Sequence, residues 1–261
     1  MTIETDDTLR PTSFGGDVAL DIAITRNRIA EDARAAIGTG STGPEARQRA
    51  YADRLFPGTN ARIAAQMADA MYSCALNYRA ACRVAGVDFP PFSEDYSQHI
   101  GSAVSEIETM ARGCGAYLSA RDIIDGTWTP DAGDALVVDG PVHVIVIVER
   151  VEQGYLTSEG GSPEVDPKTG EHGMCVHSRI MALRVAMGRL QTGTFDRITG
   201  GVTWGRFVLY GVDASKLRRT DELRLPILGP VGRYPGVDVD RHRRVHRQRI
   251  RLTPTEVAHA A

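Results

Sequence analysis

The sequence predicts an α+β domain in which helices pack on an antiparallel β-meander, and three observations support this class. Apolar residues recur at spacings of three and four through residues 60–86, which is the period of an amphipathic helix. From residue 135 the period changes, and short runs rich in Val, Ile, Leu, Tyr and Phe are typical of strands. The helical segments precede the strands instead of alternating with them, which favours an α+β arrangement over a parallel α/β sheet.

Length and composition set the organisation of the chain. At 261 residues and 42% hydrophobic content, the chain is long enough for one well-buried domain with flanking tails. We expect an N-terminal helical lead-in over residues 1–59, a core domain over 60–215 and a basic C-terminal extension over 216–261. The net charge of −3 does not indicate binding to nucleic acid or membranes, and no apolar run approaches the length of a membrane span.

Glycine and proline residues bound the predicted helices. Four helices are expected, over residues 17–37, from Pro44 to about residue 55, over 60–86 with a stop at Gly86, and over 94–112 with a stop at Gly113. Four strands are expected, over residues 135–138, 142–149, 155–158 and 206–212. A Gly- and Pro-rich loop is predicted over 160–173, and residues 174–190 have a mixed pattern that indicates neither helix nor strand.

Three residues form a candidate catalytic set for a cysteine hydrolase. Cys74 follows Ser73, a potential N-cap, and precedes a good helical segment, so a helix N-terminus could lower its thiol pKa. His143 opens a strand of β-branched residues, and Glu159 follows the next short strand. A thiolate nucleophile needs a neighbouring imidazole, and the imidazole needs a third polar group to orient it.

The hairpin register decides whether Glu159 reaches His143. If the turn centres on Gln153, Glu159 lies opposite Ile147 and on the same face as His143. If the register slips by one residue, Glu159 faces the other way, and Ser158 or a loop residue would have to orient the imidazole.

An alternative interpretation of Cys74 remains open. If the helix over residues 60–86 is continuous, Cys74 lies in its middle and is an inert core thiol. Cys82 is then the fallback nucleophile, although it lies deep in the helix. Tyr72 is our suggestion for the second oxyanion donor, beside the backbone N–H of Cys74.

The order of these residues resembles the NlpC/P60 and CHAP superfamily of papain-like cysteine peptidases and amidases. The matching segments are Tyr72-Ser73-Cys74-Ala75, Pro130-Asp-Ala-Gly-Asp134 with the strand after it, His143-Val144 and Glu159-Gly160. The resemblance covers roughly residues 60–215. It implies a papain-like fold, a catalytic site of Cys74, His143 and Glu159, and cleavage of amide bonds in cell-wall peptides.

We therefore expect a cysteine amidase or peptidase that acts on peptidoglycan peptides and needs no cofactor. The alternatives are an inactive papain-like module that binds a peptide or protein partner, and an intracellular hydrolase of protein amides. The N-terminus lacks the features of a signal peptide, so we expect synthesis in the cytoplasm, and export to the wall would need a specialised secretion system. A secretion or immunity protein is then a second class of partner, besides the peptide substrate.

Two further patterns are weaker. His172, Cys175 and His177 have a spacing that could ligate a soft divalent metal, but a fourth ligand is not apparent nearby, so we expect no metal site. The Arg-rich run over residues 241–251 lacks interleaved aromatic residues, so we expect a solvated edge or tail and no nucleic-acid partner.

Overall fold

The structure is a computed structural model that describes residues 14–57, 73–87, 102–140 and 142–217. Its helices are α1 (Phe14–Ala36), α2 (Glu45–Leu55), α3 (Ser73–Val84), α4 (Ser102–Cys114) and α5 (Ala120–Ile124). Its strands are β1 (Tyr117–Ser119), β2 (Ala135–Val138), β3 (His143–Val151), β4 (Gly154–Val165), β5 (His172–His177), β6 (Ile180–Ala186), β7 (Arg189–Phe195) and β8 (Val202–Val212). A short 3₁₀ turn (Ala214–Lys216) follows β8.

Six of these strands close into an antiparallel β-barrel. The order is β2-β3-β4-β6-β7-β8, and β8 returns to pair with β2. Closure depends on the length of β8, whose first half pairs with β7 and whose second half pairs with β2. The strands β1 and β5 lie outside the barrel, on β8 and β4 respectively.

The predicted fold class is therefore wrong: the structure is a closed barrel with two extra strands and a few helices, and not a papain-like α+β arrangement of helices on an open meander. The sequence interpretation missed four strands, β1, β5, β6 and β7, because they are short or, like Arg189–Phe195, carry few β-branched residues. It also assigned a loop to residues 160–173, where β4 in fact continues to Val165. Without those strands, the pairing of β7 with β8 could not be anticipated.

Several local predictions are confirmed. The strand Ala135–Val138 has the predicted bounds, and the first two helices lie close to the predicted ones. Two predictions, for Tyr72 and for the Arg-rich run of the C-terminal extension, concern positions outside the described residues. The domain boundaries at residues 59 and 215 stay a prediction.

Both faces of β2 and β3 are buried, which explains their nearly unbroken apolar sequence. Successive side chains of a strand point to opposite faces. Ile145 and Ile147 point into the barrel with Leu136 and Met181, whereas the intervening residues of β3 join a second cluster with the helices. An antiparallel strand that is covered on both sides loses the usual polar alternation.

The segment Gly133-Asp134 fastens α1 to the barrel. Gly133 has φ +87°, and a Cβ atom there would lie 2.5 Å from the carbonyl oxygen of Arg26 in α1. Asp134, whose side chain is fully buried, forms an ion pair with Arg26 at 2.5 Å and accepts a hydrogen bond from the backbone of Ala214 at 2.8 Å. This part of the proposed family motif thus joins α1, β2 and the 3₁₀ turn.

The outer edge of β5 is covered by the segment between α1 and α2. Backbone hydrogen bonds join Gly38 to Val176 and Ser41 to Met174. Arg47 holds this segment in place through a two-pronged ion pair with Glu164 of β4, at 2.6 and 2.8 Å. Among the described helices, none has the length and apolar character that a bilayer crossing requires.

Candidate active site

Cys74 is the second residue of α3, because this helix begins at Ser73. The residues before Ser73 lie outside the described part of the chain, so the predicted break in the helix ahead of Cys74 stays a prediction. The first backbone N–H groups of a helix have no partner within the helix, and the helix dipole places partial positive charge there. The thiol is 3% exposed and accepts hydrogen bonds from the backbone of Ala75 and of Val144 in β3.

The structure brings the three predicted residues together. His143 Nε2 lies 3.1 Å from Glu159 Oε2. The His143 ring also forms a side-chain hydrogen bond with Cys74. The imidazole is 13% exposed and Glu159 only 2%, so the chain of contacts runs from a buried carboxylate to a buried thiol.

A β-bulge in β3 turns Glu159 towards His143. At the hairpin turn Val151 pairs with Gly154, one residue away from the predicted register. Continued without a break, this register would place Glu159 opposite Val146, on the face that points away from His143. The register shifts between Ile147 and Glu149, so that Val146 pairs with Ser158 and Glu159 falls on the face of His143. The predicted centre of the turn at Gln153 was wrong, whereas the prediction that Glu159 lies on the same face as His143 was correct.

The three side chains shift one another's pKa values. Burial raises the pKa of the Cys74 thiol, but the hydrogen bond and charge of His143 and two backbone N–H groups outweigh burial and lower it. Burial lowers the pKa of His143, but the contacts with Cys74 and Glu159 raise it to about 9. Burial raises the pKa of Glu159, but the hydrogen bond from His143 and the charge of Arg179 lower it to about 2. These directions favour a thiolate–imidazolium pair beside an ionised carboxylate.

Two residues that the sequence interpretation missed surround the other carboxylate oxygen of Glu159. Arg179 donates through Nε to Oε1 at 2.5 Å, and Thr157 donates through its hydroxyl to the same oxygen at 3.0 Å. Thr157 had a signal, because it lies two residues before Glu159 and shares its face of the strand. No sequence pattern pointed to Arg179, since it lies in the connection between β5 and β6, two strands that were not predicted.

A buried polar network ties α3 to the neighbouring elements. Asn77, one helical turn after Cys74, donates to the hydroxyl of Ser158 at 3.3 Å. Arg54 of α2 donates to Asn77 Oδ1 at 2.6 Å and forms an ion pair with Asp32 of α1 at 2.5 Å. Ser158, the suggested substitute for Glu159, therefore contacts Asn77 of α3 and does not orient His143.

The other thiols are less suited to nucleophilic attack. Burial raises the pKa of Cys82 far above its usual range, despite a hydrogen bond with Tyr78. Burial and Glu164 raise the pKa of Cys175 to about 11. Cys114 lies at the end of α4, where its sulfur contacts the backbone oxygen of Ala111. Among the contacts of the described residues, Cys74 is thus the thiol with an imidazole partner and a lowered pKa.

His172, Cys175 and His177 all lie in β5. His177 Nδ1 contacts the hydroxyl of Ser162. In the ladder between β4 and β5, His177 pairs with Glu159. Cys175 instead lies near Glu164 and Arg47. Within the part of the chain that the structure describes, no three His, Cys, Asp or Glu side chains gather as metal ligands.

Comparison of the chain with models of known protein families, with curated proteins and with solved structures returns no match. The family indicated by the residues around Cys74 and His143 therefore stays a prediction.

Proposed function

We propose that the protein is a cysteine hydrolase that cleaves amide bonds, with Cys74 as nucleophile, His143 as acid and base, and Glu159 as the group that orients His143. The observation that carries this proposal is the chain of contacts from the thiol at a helix N-terminus, through one imidazole, to a buried carboxylate. Nucleophile, base and orienting group in this sequence are the elements that acyl transfer requires.

The reaction proceeds in two halves. The Cys74 thiolate attacks the amide carbonyl carbon, and the new oxyanion faces the backbone N–H groups at the start of α3. The C–N bond breaks as the imidazolium of His143 gives its proton to the leaving amine, and a thioester remains on Cys74. Neutral His143 then takes a proton from water as the water oxygen attacks the thioester carbon. The C–S bond breaks, the carboxylic acid leaves, and the pair of Cys74 thiolate and His143 imidazolium is restored.

Cell-wall stem peptides are the first substrates to test, because the sequence resemblance points to them. A protein amide is the second class, and a module that binds a peptide without cleaving it is the third alternative. The low exposure of Cys74 and His143 is compatible with this last alternative, so the experiment must separate binding from turnover.

The test is digestion of purified peptidoglycan fragments and of a protein mixture, with mass analysis of the products. We expect the wild-type protein to produce new amine and carboxylate ends, and Cys74→Ser to lower the rate by about a thousandfold or more. Cys114→Ser is the matched control and should retain the wild-type rate, because the described contacts of Cys114 are with Met110 and Ala111 and not with an imidazole.

Retention of the rate in Cys74→Ser would show a different nucleophile and contradict the assignment. Binding of a fragment by the wild-type protein, with no cleavage of either substrate class, would favour the non-catalytic module.

A further inference from the structure

Arg179, in the connection between β5 and β6, lies directly behind the carboxylate of Glu159. Its Nε donates to Oε1 of Glu159 at 2.5 Å, and its Nη1 donates to the hydroxyl of Thr194 in β7 at 2.9 Å. Its carbonyl oxygen accepts the backbone N–H of Thr157 at 3.0 Å. The guanidinium therefore spans β4 and β7 and is held at both ends.

Because of these contacts, the two carboxylate oxygens of Glu159 have different hydrogen-bond partners. Oε1 receives Arg179 and Thr157, which leaves Oε2 to His143 at 3.1 Å. An unrestrained carboxylate can rotate about its last bond, since that torsion is broad. Arg179 restricts this rotation through one charge-assisted hydrogen bond from Nε, because Thr194 fixes the plane of the same guanidinium through Nη1. A lysine ammonium lacks such a fixed plane.

We propose that Arg179 is a positioning residue, which holds Glu159 with Oε2 directed at His143 and thereby supports the Cys74–His143 pair. The consequence for catalysis rests on the proposed function, whereas the arrangement of the side chains does not. Arg179 contacts neither the thiol nor the imidazole in the described contacts, so it acts through Glu159.

A purely electrostatic role predicts the opposite effect on His143. Arg179 is a cation near an imidazolium, so its charge alone disfavours protonation of His143. Removal of that charge would then raise the pKa of His143. Loss of the orientation of Glu159 would instead lower it, because the imidazolium would lose its hydrogen-bonded carboxylate.

The experiment measures the titration midpoint of His143 by NMR of its imidazole in the full chain. We expect Arg179→Met to lower the midpoint by about one pH unit, and Arg179→Lys to lower it as well, because lysine keeps the charge but lacks the fork. Arg184→Met is the matched control, since Arg184 contacts Gln191 and the Trp204 ring. In this variant the titration midpoint of His143 should equal that of the wild type.

A second readout is the ultraviolet absorbance of the Cys74 thiolate, taken as the difference from the matching Cys74→Ser protein. The thiolate should form at higher pH in both Arg179 variants. The double variant Arg179→Met/Glu159→Gln should titrate like Glu159→Gln alone, because residues that act through one contact are not additive.

A rise of the His143 midpoint in Arg179→Met, or no change in both Arg179 variants, would overturn the proposal. If Arg179→Met does not fold, Arg179→Lys and Thr194→Val decide: lowered midpoints support the positioning role, and unchanged midpoints reject it. Neither readout needs turnover. A wild-type protein that cleaves no amide would therefore remove the proposed function and leave the role of Arg179 standing.

Discussion

At the scale of single residues, the candidate site depends on burial and on charge pairing, which shift the pKa values of its members in opposite directions. Burial disfavours the charged forms of Cys74, His143 and Glu159 alike. Each nevertheless shifts towards its charged form, because every charge has a hydrogen-bonded partner of opposite sign. The three residues therefore behave as one unit, and the loss of one member affects the other two.

The first prediction concerns the reactivity of the four thiols. Cys74 should react with iodoacetamide near pH 6 faster than Cys82, Cys114 and Cys175, because its pKa is lowered whereas that of Cys175 is raised to about 11. Peptide mass spectrometry after timed labelling gives the rate for each cysteine. The rate at Cys74 should fall in His143→Ala, and equal rates at Cys74 and Cys114 in the wild type would rule out an activated thiol.

At the scale of elements, two features place these residues. The start of α3 at Ser73 brings Cys74 to a helix N-terminus, and the bulge in β3 rotates Glu159 to the face of His143. The bulge is a local departure from a regular ladder. Bulges occur preferentially where a side chain must be directed towards a site.

A prediction at this scale concerns the contact of α1 with the loop before β2. Gly133→Ala should lower the free energy of unfolding by roughly 2–4 kcal/mol, because the new Cβ meets the backbone of Arg26 at a φ of +87°. Gly126→Ala is the matched control. Gly126 also has a positive φ, of +69°, but no atom within 4 Å of the added Cβ, so about 1 kcal/mol is expected.

Urea denaturation at 25 °C measures both differences. Equal losses in the two variants would mean that the approach of α1 does not constrain Gly133.

At the scale of the whole molecule, the barrel and the helices form one body around the site. The ion pair of Arg26 with Asp134 connects α1 to the barrel, and Asp134 also binds the 3₁₀ turn after β8. Burial raises the pKa of Asp134 to about 7, while Arg26 and backbone N–H groups act against that rise. A buried carboxylate that loses its cation is expected to be costly.

Arg26→Met should therefore lower the free energy of unfolding by roughly 2–4 kcal/mol at pH 8. The pKa of Asp134 is raised in the folded state, so the unfolded state releases its proton first. The carboxyl group therefore lowers the free energy of unfolding as pH rises from about 4 to about 7, and this loss is constant at higher pH. The loss caused by Arg26→Met should consequently be smaller at pH 5.5 than at pH 8.

Arg34→Met is the control, because it removes an exposed ion pair between the same helix, α1, and Glu149. It should lower the free energy of unfolding by at most about 1 kcal/mol. Urea denaturation of both variants at the two pH values is the measurement. A loss in Arg26→Met that is independent of pH would contradict the assignment to Asp134.

The sequence by itself determined the elements with strong local patterns. The helical spacing before Gly86 and the β-branched runs of β2 and β3 are short-range signals, and their structures agree with them. The order Cys74, His143 and Glu159 was also readable, because the chemistry of a thiol nucleophile demands those residue types. These inferences required information from only a few neighbouring residues.

The tertiary structure alone decided the closure of the barrel, the bulge and the place of Arg179. Closure pairs β2 with β8, strands separated by most of the barrel sequence, and no local pattern encodes such a partner. With the register found at the hairpin turn, an unbroken ladder would direct Glu159 away from His143. The bulge between Ile147 and Glu149 shifts the register by one residue and returns Glu159 to the face of His143. Arg179 reaches Glu159 because β5 and β6, the two unpredicted strands that it connects, both pair with β4. Non-local pairing therefore turned three predicted residues into a connected site.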